Sequence, residues 1–117
     1  MIVEINQEQQ NGYEIISLIG RLDANTASEL EAVFQTLTQK PDLKIIVQCA
    51  GLDYISSAGL RVLLTTAKTL KLNNGKIGLC MLNPNVKQVF DISGFTSIFP
   101  IFDTLEEALE NLDKSNI

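Results

Sequence analysis

The sequence predicts a single α/β domain, built on a mixed, mostly parallel sheet of about five strands with helices packed on it. Short apolar runs alternate with segments whose apolar residues recur every three or four positions, which is typical of strands alternating with helices. The chain has 117 residues, of which 45% are hydrophobic, and this fits one domain with its own core. An Asn-Gly pair near the start predicts a hairpin, the expected source of an antiparallel pair.

The predicted hairpin comes first. Residues 2–7 and 13–19 have strand-like patterns. Asn11-Gly12 tolerates the positive φ angles of a tight turn, and we expect 8–12 to form the connection.

A helix is predicted next, ending near Gln39. Thr26 with Glu29 fits a capping box, and Asp23 or Asn25 is also suited to cap. Helical spacing marks the buried face, which is formed by Ala27, Leu30, Phe34 and Leu37.

Strand and helix then alternate. Buried parallel strands are predicted at 43–47 and 77–82, and the helix between them ends at 73–75. Its core face consists of Leu60, Leu63, Leu64, Ala67 and Leu70. Asn83 is suited to cap a further helix, which Gly94 closes.

The last elements are a short strand and a helix. Residues 98–102 read as a strand, and Pro100 favours the edge of the sheet for it. Capping residues follow, and then an amphipathic face formed by Leu105, Ala108, Leu109 and Leu112. The predicted order is β-β-α-β-α-β-α-β-α, with one domain over 1–113 and a short C-terminal tail at 114–117.

Charge and composition narrow the classes of function. The net charge is -5, which argues against a nucleic-acid partner or an anionic membrane surface. The sequence contains no apolar run of membrane-spanning length, and its start lacks the basic and long apolar regions of a secretory signal. We therefore expect a cytoplasmic protein whose partners are other proteins or small molecules.

The absence of histidine excludes several chemistries. Ser-His-Asp and Cys-His nucleophilic systems need a histidine, as the usual zinc sites do, and the sequence has none. Cys49 and Cys80 sit at apolar strand-like runs and are expected to be reduced core residues. The Gly-rich phosphate-binding motifs are also absent, so no cofactor or metal is predicted.

Two adjacent hydroxyls, Ser56 and Ser57, precede the second predicted helix and allow three interpretations. One serine is enough to cap the helix. A hydrolase nucleophile needs G-x-S-x-G, but Tyr54 or Ile55 stands where the first glycine belongs. A hydroxyl on a loop between strand and helix is also suited to phosphorylation, because a helix N-terminus tolerates negative charge.

The chain resembles the bacterial anti-sigma factor antagonists, the small single-domain members of the STAS (sulfate transporter and anti-sigma antagonist) superfamily. The resemblance covers nearly the whole chain. Its segments, in order, are Gly20 to Asp23 followed by Thr26, Ile45 to Val47, Leu52 to Leu60, and Asn83 to Phe95.

The resemblance implies a mechanism of partner switching. Family members bind an anti-sigma factor that is also a serine-protein kinase with a histidine-kinase-like ATP site. The unphosphorylated antagonist sequesters this factor, phosphorylation of one serine ends the binding, and a PP2C-type phosphatase restores it. The implied protein is a regulatory binding module and not an enzyme.

Carried over by motif, the phosphate acceptor of the family falls on Ser57. Ser56 stands where the family has an Asp, and Ala58 replaces the second hydroxyl. Asp23 matches a family position that takes part in partner contact. With the other residues at the two helix starts, the predicted partner-binding residues are Asp23, Thr26, Ser56, Ser57, Ala58, Gly59 and Arg61.

Within that set, Ala58 and Gly59 are expected to keep the helix start slim for an approaching kinase. Arg61 is expected to be exposed, where it contacts the partner or the phosphate, and Asp53 is expected to be a solvated loop residue. Two alternatives remain open: a STAS-type sensor or scaffold subunit that is not phosphorylated, and a small hydrolase or transferase.

Overall fold

A computed structural model of the protein describes residues 3–114, which form a five-stranded sheet with helices on both faces. The strands are β1 (Val3–Gln10), β2 (Tyr13–Leu22), β3 (Lys44–Ile55), β4 (Lys76–Cys80) and β5 (Ile101–Phe102). The helices are α1 (Ala27–Leu37), α2 (Ser57–Leu72), α3 (Pro84–Ser93) and α4 (Leu105–Asn111), with 3₁₀ turns at Phe95–Ser97 and Leu112–Lys114. The predicted fold class is confirmed.

The strands lie in chain order across the sheet. β1 pairs antiparallel with β2, and every later pair is parallel. The hairpin turn is only Asn11-Gly12, with φ angles of 54° and 84°. The predicted connection at 8–12 is therefore too long, because the polar residues of the exposed edge strand β1 hide its backbone pairing with β2.

β3 differs most from its prediction at 43–47, because its 12 residues continue to Ile55. Polar residues and Gly51 interrupt the apolar run, yet the backbone of this stretch still pairs with β2. A Cβ built on Gly51 would lie 2.8 Å from Cγ1 of Ile19, so only glycine fits between the two strands there. The expected loop before α2 is consequently absent, and Ser56 alone separates β3 from α2.

The two faces of the sheet are covered unequally. Helices α1, α2 and α3 bury one face in a large apolar core that includes Leu30, Phe34, Leu63 and Phe90. On the other face, the seven-residue α4 helix covers a small cluster, with Ala108 at its centre. The part of this second face that α4 does not reach carries exposed side chains.

The two cysteines are both free and buried, as predicted. Cys49 belongs to the large core and Cys80 to the small cluster, so they lie on opposite faces of the sheet. Burial raises the pKa of the Cys80 thiol to about 11 and that of the Cys49 thiol further still.

Element ends also differ from the predictions. α1 ends at Leu37, not near Gln39, and β4 ends at Cys80 because Met81 takes a positive φ of 62°. β5 keeps only two residues of the predicted 98–102 strand. Residues 98–100 follow the 3₁₀ turn of Phe95–Ser97 and lie outside the strand, and Phe99 packs edge-to-face on Phe90. The edge position of β5 is confirmed.

Asn83 caps α3 and Gly94 closes it in the left-handed conformation, as predicted. Of the tail at 114–117, Lys114 ends the last 3₁₀ turn, while 115–117 lie outside the described residues. No helix among residues 3–114 has the length and apolar character that crossing a membrane requires.

Candidate functional site

The two serines lie where the parallel strands β2 and β3 end side by side. Leu22 pairs with Ile55 at the end of this ladder. Ser56 then donates both its backbone N–H and its hydroxyl to the carbonyl oxygen of Leu22, at 2.9 and 3.0 Å. This carbonyl belongs to the peptide bond that enters Asp23, so the starts of α1 and α2 are tied together.

Ser56 is the N-cap of α2. Its backbone is extended, with φ of -95° and ψ of 173°, and its Oγ accepts a hydrogen bond from the N–H of Gly59 at 3.3 Å. The capping role that the sequence left open between the two serines therefore belongs to Ser56. Its hydroxyl is used twice, as donor to Leu22 and as acceptor from Gly59.

Ser57 has a different environment from its neighbour. It is the first residue of α2, it is exposed, and its hydroxyl has no hydrogen-bond partner within residues 3–114. Its backbone belongs to a 16-residue helix anchored in the core by Leu60 and Leu63. The Ser57 hydroxyl is therefore exposed and makes no hydrogen bond to the rest of the described chain, while its backbone is held in place by a helix anchored in the core.

Ala58 and Gly59 pack against the core. Ala58 is half-buried against the large core, and Gly59 is buried. A Cβ on Gly59 would lie 2.9 Å from Cγ of Leu22 and from Cγ1 of Ile55. The absence of a side chain at Gly59 thus makes room for the core, while the predicted effect of Ala58 and Gly59 on the approach of a kinase stays a prediction.

The polar groups at the start of α1 are hydrogen-bonded to one another. One carboxylate oxygen of Asp23 accepts hydrogen bonds from the N–H groups of Asn25 and Thr26, both at 2.9 Å. The Thr26 hydroxyl accepts from the N–H of Asp23 at 2.9 Å and donates to the carbonyl of Arg21 at 2.8 Å. The segment is a closed turn of mutual hydrogen bonds.

The predicted capping box of Thr26 with Glu29 is therefore wrong. Thr26 already has helical backbone angles, and its side chain makes no capping bond to α1. Only 2% of Thr26 is exposed, so its predicted contact with a partner is corrected to a supporting role beneath Asp23. Gly59 is corrected in the same way.

Asp23 is the carboxylate of this edge. The pKa of its side chain is lowered, chiefly because the backbone N–H of Thr26 stabilises the ionised form, with help from the N–H of Asn25. Asp23 therefore presents a negative charge at neutral pH. It is half-exposed, and one of its oxygens remains outside the turn's hydrogen bonds.

Two more charged residues have the exposure predicted for them. Arg61 is exposed on α2, one turn after Ser57, and makes no ion pair or hydrogen bond within the described part of the chain. Asp53 is exposed, but it lies in strand β3 and not in the expected loop.

The sequence reasoning missed a stacked pair beside the site. The guanidinium of Arg21 lies 4.2 Å from the ring centroid of Tyr54, and these two residues are register partners across β2 and β3. A signal was present, because Arg21 precedes Asp23 by two residues and Tyr54 precedes Ser56 by two. Equal spacing from the ends of two parallel strands places side chains on the same face.

Metal binding finds no support in the described residues. Between residues 3 and 114 there is no group of three or more His, Cys, Asp or Glu side chains placed to hold an ion. The site consists of one free hydroxyl, one ionised carboxylate and one free guanidinium at the same edge of the sheet.

Two relatives resemble this chain along most of its length. BtrV of Bordetella bronchiseptica, to which the role of anti-sigma factor antagonist is ascribed, is 40% identical over 106 residues, covering 91% of each chain. An anti-sigma F factor antagonist of Paenibacillus polymyxa is 30% identical over 114 residues, covering 97% of each chain.

Solved structures share the fold. The anti-sigma factor antagonist SpoIIAA in its unphosphorylated form superposes with a TM-score of 0.79 at 23% identity, covering 97% of this chain and all of that one. SpoIIAA of Bacillus in its phosphorylated form gives a TM-score of 0.72 at 24% identity, covering 92% and 97%. The family model of the STAS domain matches residues 4–108. The chain belongs to the STAS domain family.

Proposed function

We propose that the protein is a cytoplasmic anti-sigma factor antagonist that works by partner switching, with Ser57 as the switch. The unphosphorylated form binds an anti-sigma factor that is also a serine-protein kinase. Phosphorylation of Ser57 ends this binding, and a PP2C-type phosphatase restores it. The observation that carries the proposal is the contrast between the two adjacent serines, since only Ser57 has an exposed and unbonded hydroxyl.

The names of the relatives and the fold of the neighbours support this role. Both relatives described above are named for antagonism of anti-sigma factors. SpoIIAA exists in unphosphorylated and phosphorylated forms, so a protein of this fold accommodates a phosphate.

The chemistry of the switch needs little from this chain except an accessible hydroxyl. Ser57 Oγ bonds to the γ-phosphorus of ATP while the bond to the ADP oxygen breaks, and the hydroxyl proton passes to a base of the kinase. In dephosphorylation, water attacks the phosphorus while its bond to Ser57 Oγ breaks, the Oγ takes up a proton, and inorganic phosphate is released. The protein is thus a substrate in both directions and supplies no catalytic group.

The docking surface consists of Asp23, Ser57 and Arg61. A phosphate on Ser57 adds about -1.5 to -2 units of charge to it. The N-terminus of α2 tolerates this charge, so the fold survives and the effect falls on the partner. A partner surface that is acidic where it faces Ser57 is then repelled, and one that is apolar there binds poorly because the phosphate would have to lose its hydration.

Ser56 has a structural part in this proposal. Its hydroxyl donates to Leu22 and accepts from Gly59, so the proposal assigns Ser56 to capping and not to the place of the family's Asp in partner recognition. The ionised carboxylate available at this edge is Asp23, 33 positions earlier in the sequence.

The decisive test is intact-mass and fragmentation analysis of the protein isolated from its native cells. We expect a phosphate adduct localised to Ser57. Its complete absence under all growth conditions would favour the alternative, a STAS-type sensor or scaffold subunit that is not phosphorylated.

A binding experiment tests the consequence. Ser57→Asp should lose the anti-sigma factor that co-purifies with the wild type, while Ser57→Ala should bind it and resist release by ATP. Lys68→Gln, a change in an exposed residue further along α2, is the matched control. Binding of Ser57→Asp as tight as that of the wild type would contradict the switch.

A further inference from the structure

We infer that Arg61 forms an ion pair with the phosphate on Ser57, so that phosphorylation partly engages a cation of the docking surface while it adds an anion. The inference rests on the proposed phosphorylation of Ser57 and deepens it. The proposed function requires only that the phosphate blocks the partner, whereas this inference assigns the phosphate a partner within the chain.

The spacing of the two residues carries the inference. Ser57 is the first residue of α2 and Arg61 follows four positions later, so both lie on one side of the helix about one turn apart. Helical side chains lean toward the N-terminus, which directs the long Arg61 side chain back over Ser57. An anion placed N-terminal to a cation at this spacing is the favourable orientation.

Arg61 is also uncommitted in the unphosphorylated protein. The ion pairs among the described residues are Lys44 with Asp113 and Lys87 with Asp91, and neither involves Arg61. The first turn of α2 carries no acidic residue that would compete for the guanidinium. Because the exposed Arg61 side chain makes no ion pair of its own among the described residues, it can pair with a new anion without breaking an existing contact.

The chemistry of the pair favours arginine over other cations. A guanidinium donates two parallel hydrogen bonds to two oxygens of one phosphate, and it keeps its charge at any physiological pH. The next cation along α2 is Lys68, which is 11 residues from Ser57 and out of reach of the phosphate. Arg61 is therefore the one cation of α2 that a phosphate on Ser57 meets.

The functional consequence is a switch with two components. In the unphosphorylated state the partner faces a neutral hydroxyl and a free positive charge. In the phosphorylated state it faces a phosphate whose charge is partly neutralised by Arg61, and the guanidinium is engaged by the phosphate for part of the time. A partner that contacts Arg61 finds that contact weakened by phosphorylation.

The test uses full-length protein with phosphoserine introduced at position 57 by genetic code expansion. ³¹P NMR titration follows the second ionisation of the phosphate in the wild-type background, in Arg61→Gln, in Arg61→Lys and in the control Lys68→Gln. We expect Arg61→Gln to raise the second pKa of the phosphate by about 0.3. Arg61→Lys should restore most of the wild-type value, and Lys68→Gln should leave it unchanged.

Two results would overturn the inference: equal phosphate pKa values in the wild-type background and Arg61→Gln, or an equal rise in Lys68→Gln. The first would mean that no pair forms, and the second that α2 acts only through its overall charge. Because phosphoserine is installed during synthesis, the titration can be read whether or not a kinase modifies Ser57. Failure of the proposed function is read separately, in the mass spectra of the native protein.

Discussion

Helices α1 and α2 begin side by side at the same edge of the sheet, and their first turns use polar residues in opposite ways. At the start of α1, Asp23 and Thr26 direct their hydrogen bonds to each other and to the backbone. At the start of α2, Ser56 bonds the Leu22 carbonyl and the Gly59 N–H, and the Ser57 hydroxyl has no partner in the described residues. At the start of α1 both side chains are hydrogen-bonded within the turn, whereas the start of α2 has one hydroxyl without a hydrogen-bond partner in the described residues.

The difference separates a serine that supports the fold from one that the fold does not use. Capping needs one hydroxyl, and Ser56 supplies it. A second hydroxyl that forms no bond within the described residues adds little to stability, which leaves it available for the proposed phosphorylation. Substitutions at the starts of α1 and α2 should therefore change the stability of the fold by different amounts.

The largest effect is expected from Thr26→Val. The change keeps the shape of the side chain but leaves the N–H of Asp23 and the carbonyl of Arg21 without their partner. Unpaired groups at a buried position destabilise a protein, and we expect a loss of about 2–3 kcal/mol in the free energy of unfolding, measured by urea denaturation. Thr36→Val, at an exposed site on α1, is the control. Equal losses in both variants would show that the closed turn is not special.

Gly59→Ala should follow. The new methyl group would lie 2.9 Å from Leu22 and Ile55, which outweighs the better helix propensity of alanine. The expected loss is about 1–2 kcal/mol in the same measurement. A gain in stability would mean that Leu22 and Ile55 yield easily and that the start of α2 is loosely packed.

Ser56→Ala should cost about 1 kcal/mol, the usual contribution of an N-cap serine. The variant loses the acceptor for the Gly59 N–H and the hydroxyl bond to Leu22. Ser28→Ala on α1, where the exposed hydroxyl only donates to the Asn25 carbonyl, is the control. If Ser56→Ala were as stable as this control, Ser56 would not be the working cap.

The contribution of Asp23 should depend on pH. Its carboxyl has a lowered pKa in the folded protein, so its stabilising effect is present above the unfolded-state pKa near 3.9 and is lost as the pH falls through the lower folded value. Thermal melts between pH 6 and pH 2.5 should show the advantage of wild type over Asp23→Asn shrinking at the acid end. Ser57→Ala, which removes no ionisable group, should keep a constant difference from wild type.

Ser57→Ala should have the smallest effect on stability, within about 0.5 kcal/mol of wild type. Its hydroxyl has no partner in the described residues, and alanine suits the first turn of a helix. Denaturation beside Ser56→Ala gives the direct comparison of neighbouring hydroxyls. A loss equal to that of Ser56→Ala would mean that both serines serve the fold.

The sequence allowed the helices and the fold class to be predicted because helical periodicity is a local signal. It could not give the length of β3. There, Gln48, Gly51 and Asp53 break the apolar pattern, while the pairing with β2 depends on backbone groups that carry no sequence signature. The loop expected between β3 and α2 was the direct result of that missing information.

At the candidate site, the sequence favoured a capping hydroxyl but could not decide from the residues alone which serine takes that role. The choice depends on the Leu22 carbonyl, which is distant in sequence from Ser56. Thr26 was misread for a related reason, because its hydroxyl turns toward the Arg21 carbonyl of the preceding strand and not toward α1. Arg21 and Tyr54 were within reach of prediction once the strand ends were aligned.

The bond between Ser56 and Leu22 also has a meaning for the assembly of the chain. It joins residues 34 positions apart, across the whole crossover from β2 through α1 to β3. Asp23 and Ser57 therefore become neighbours only after this crossover has closed. If a partner recognises both residues, as proposed above, incompletely folded copies do not present its binding surface.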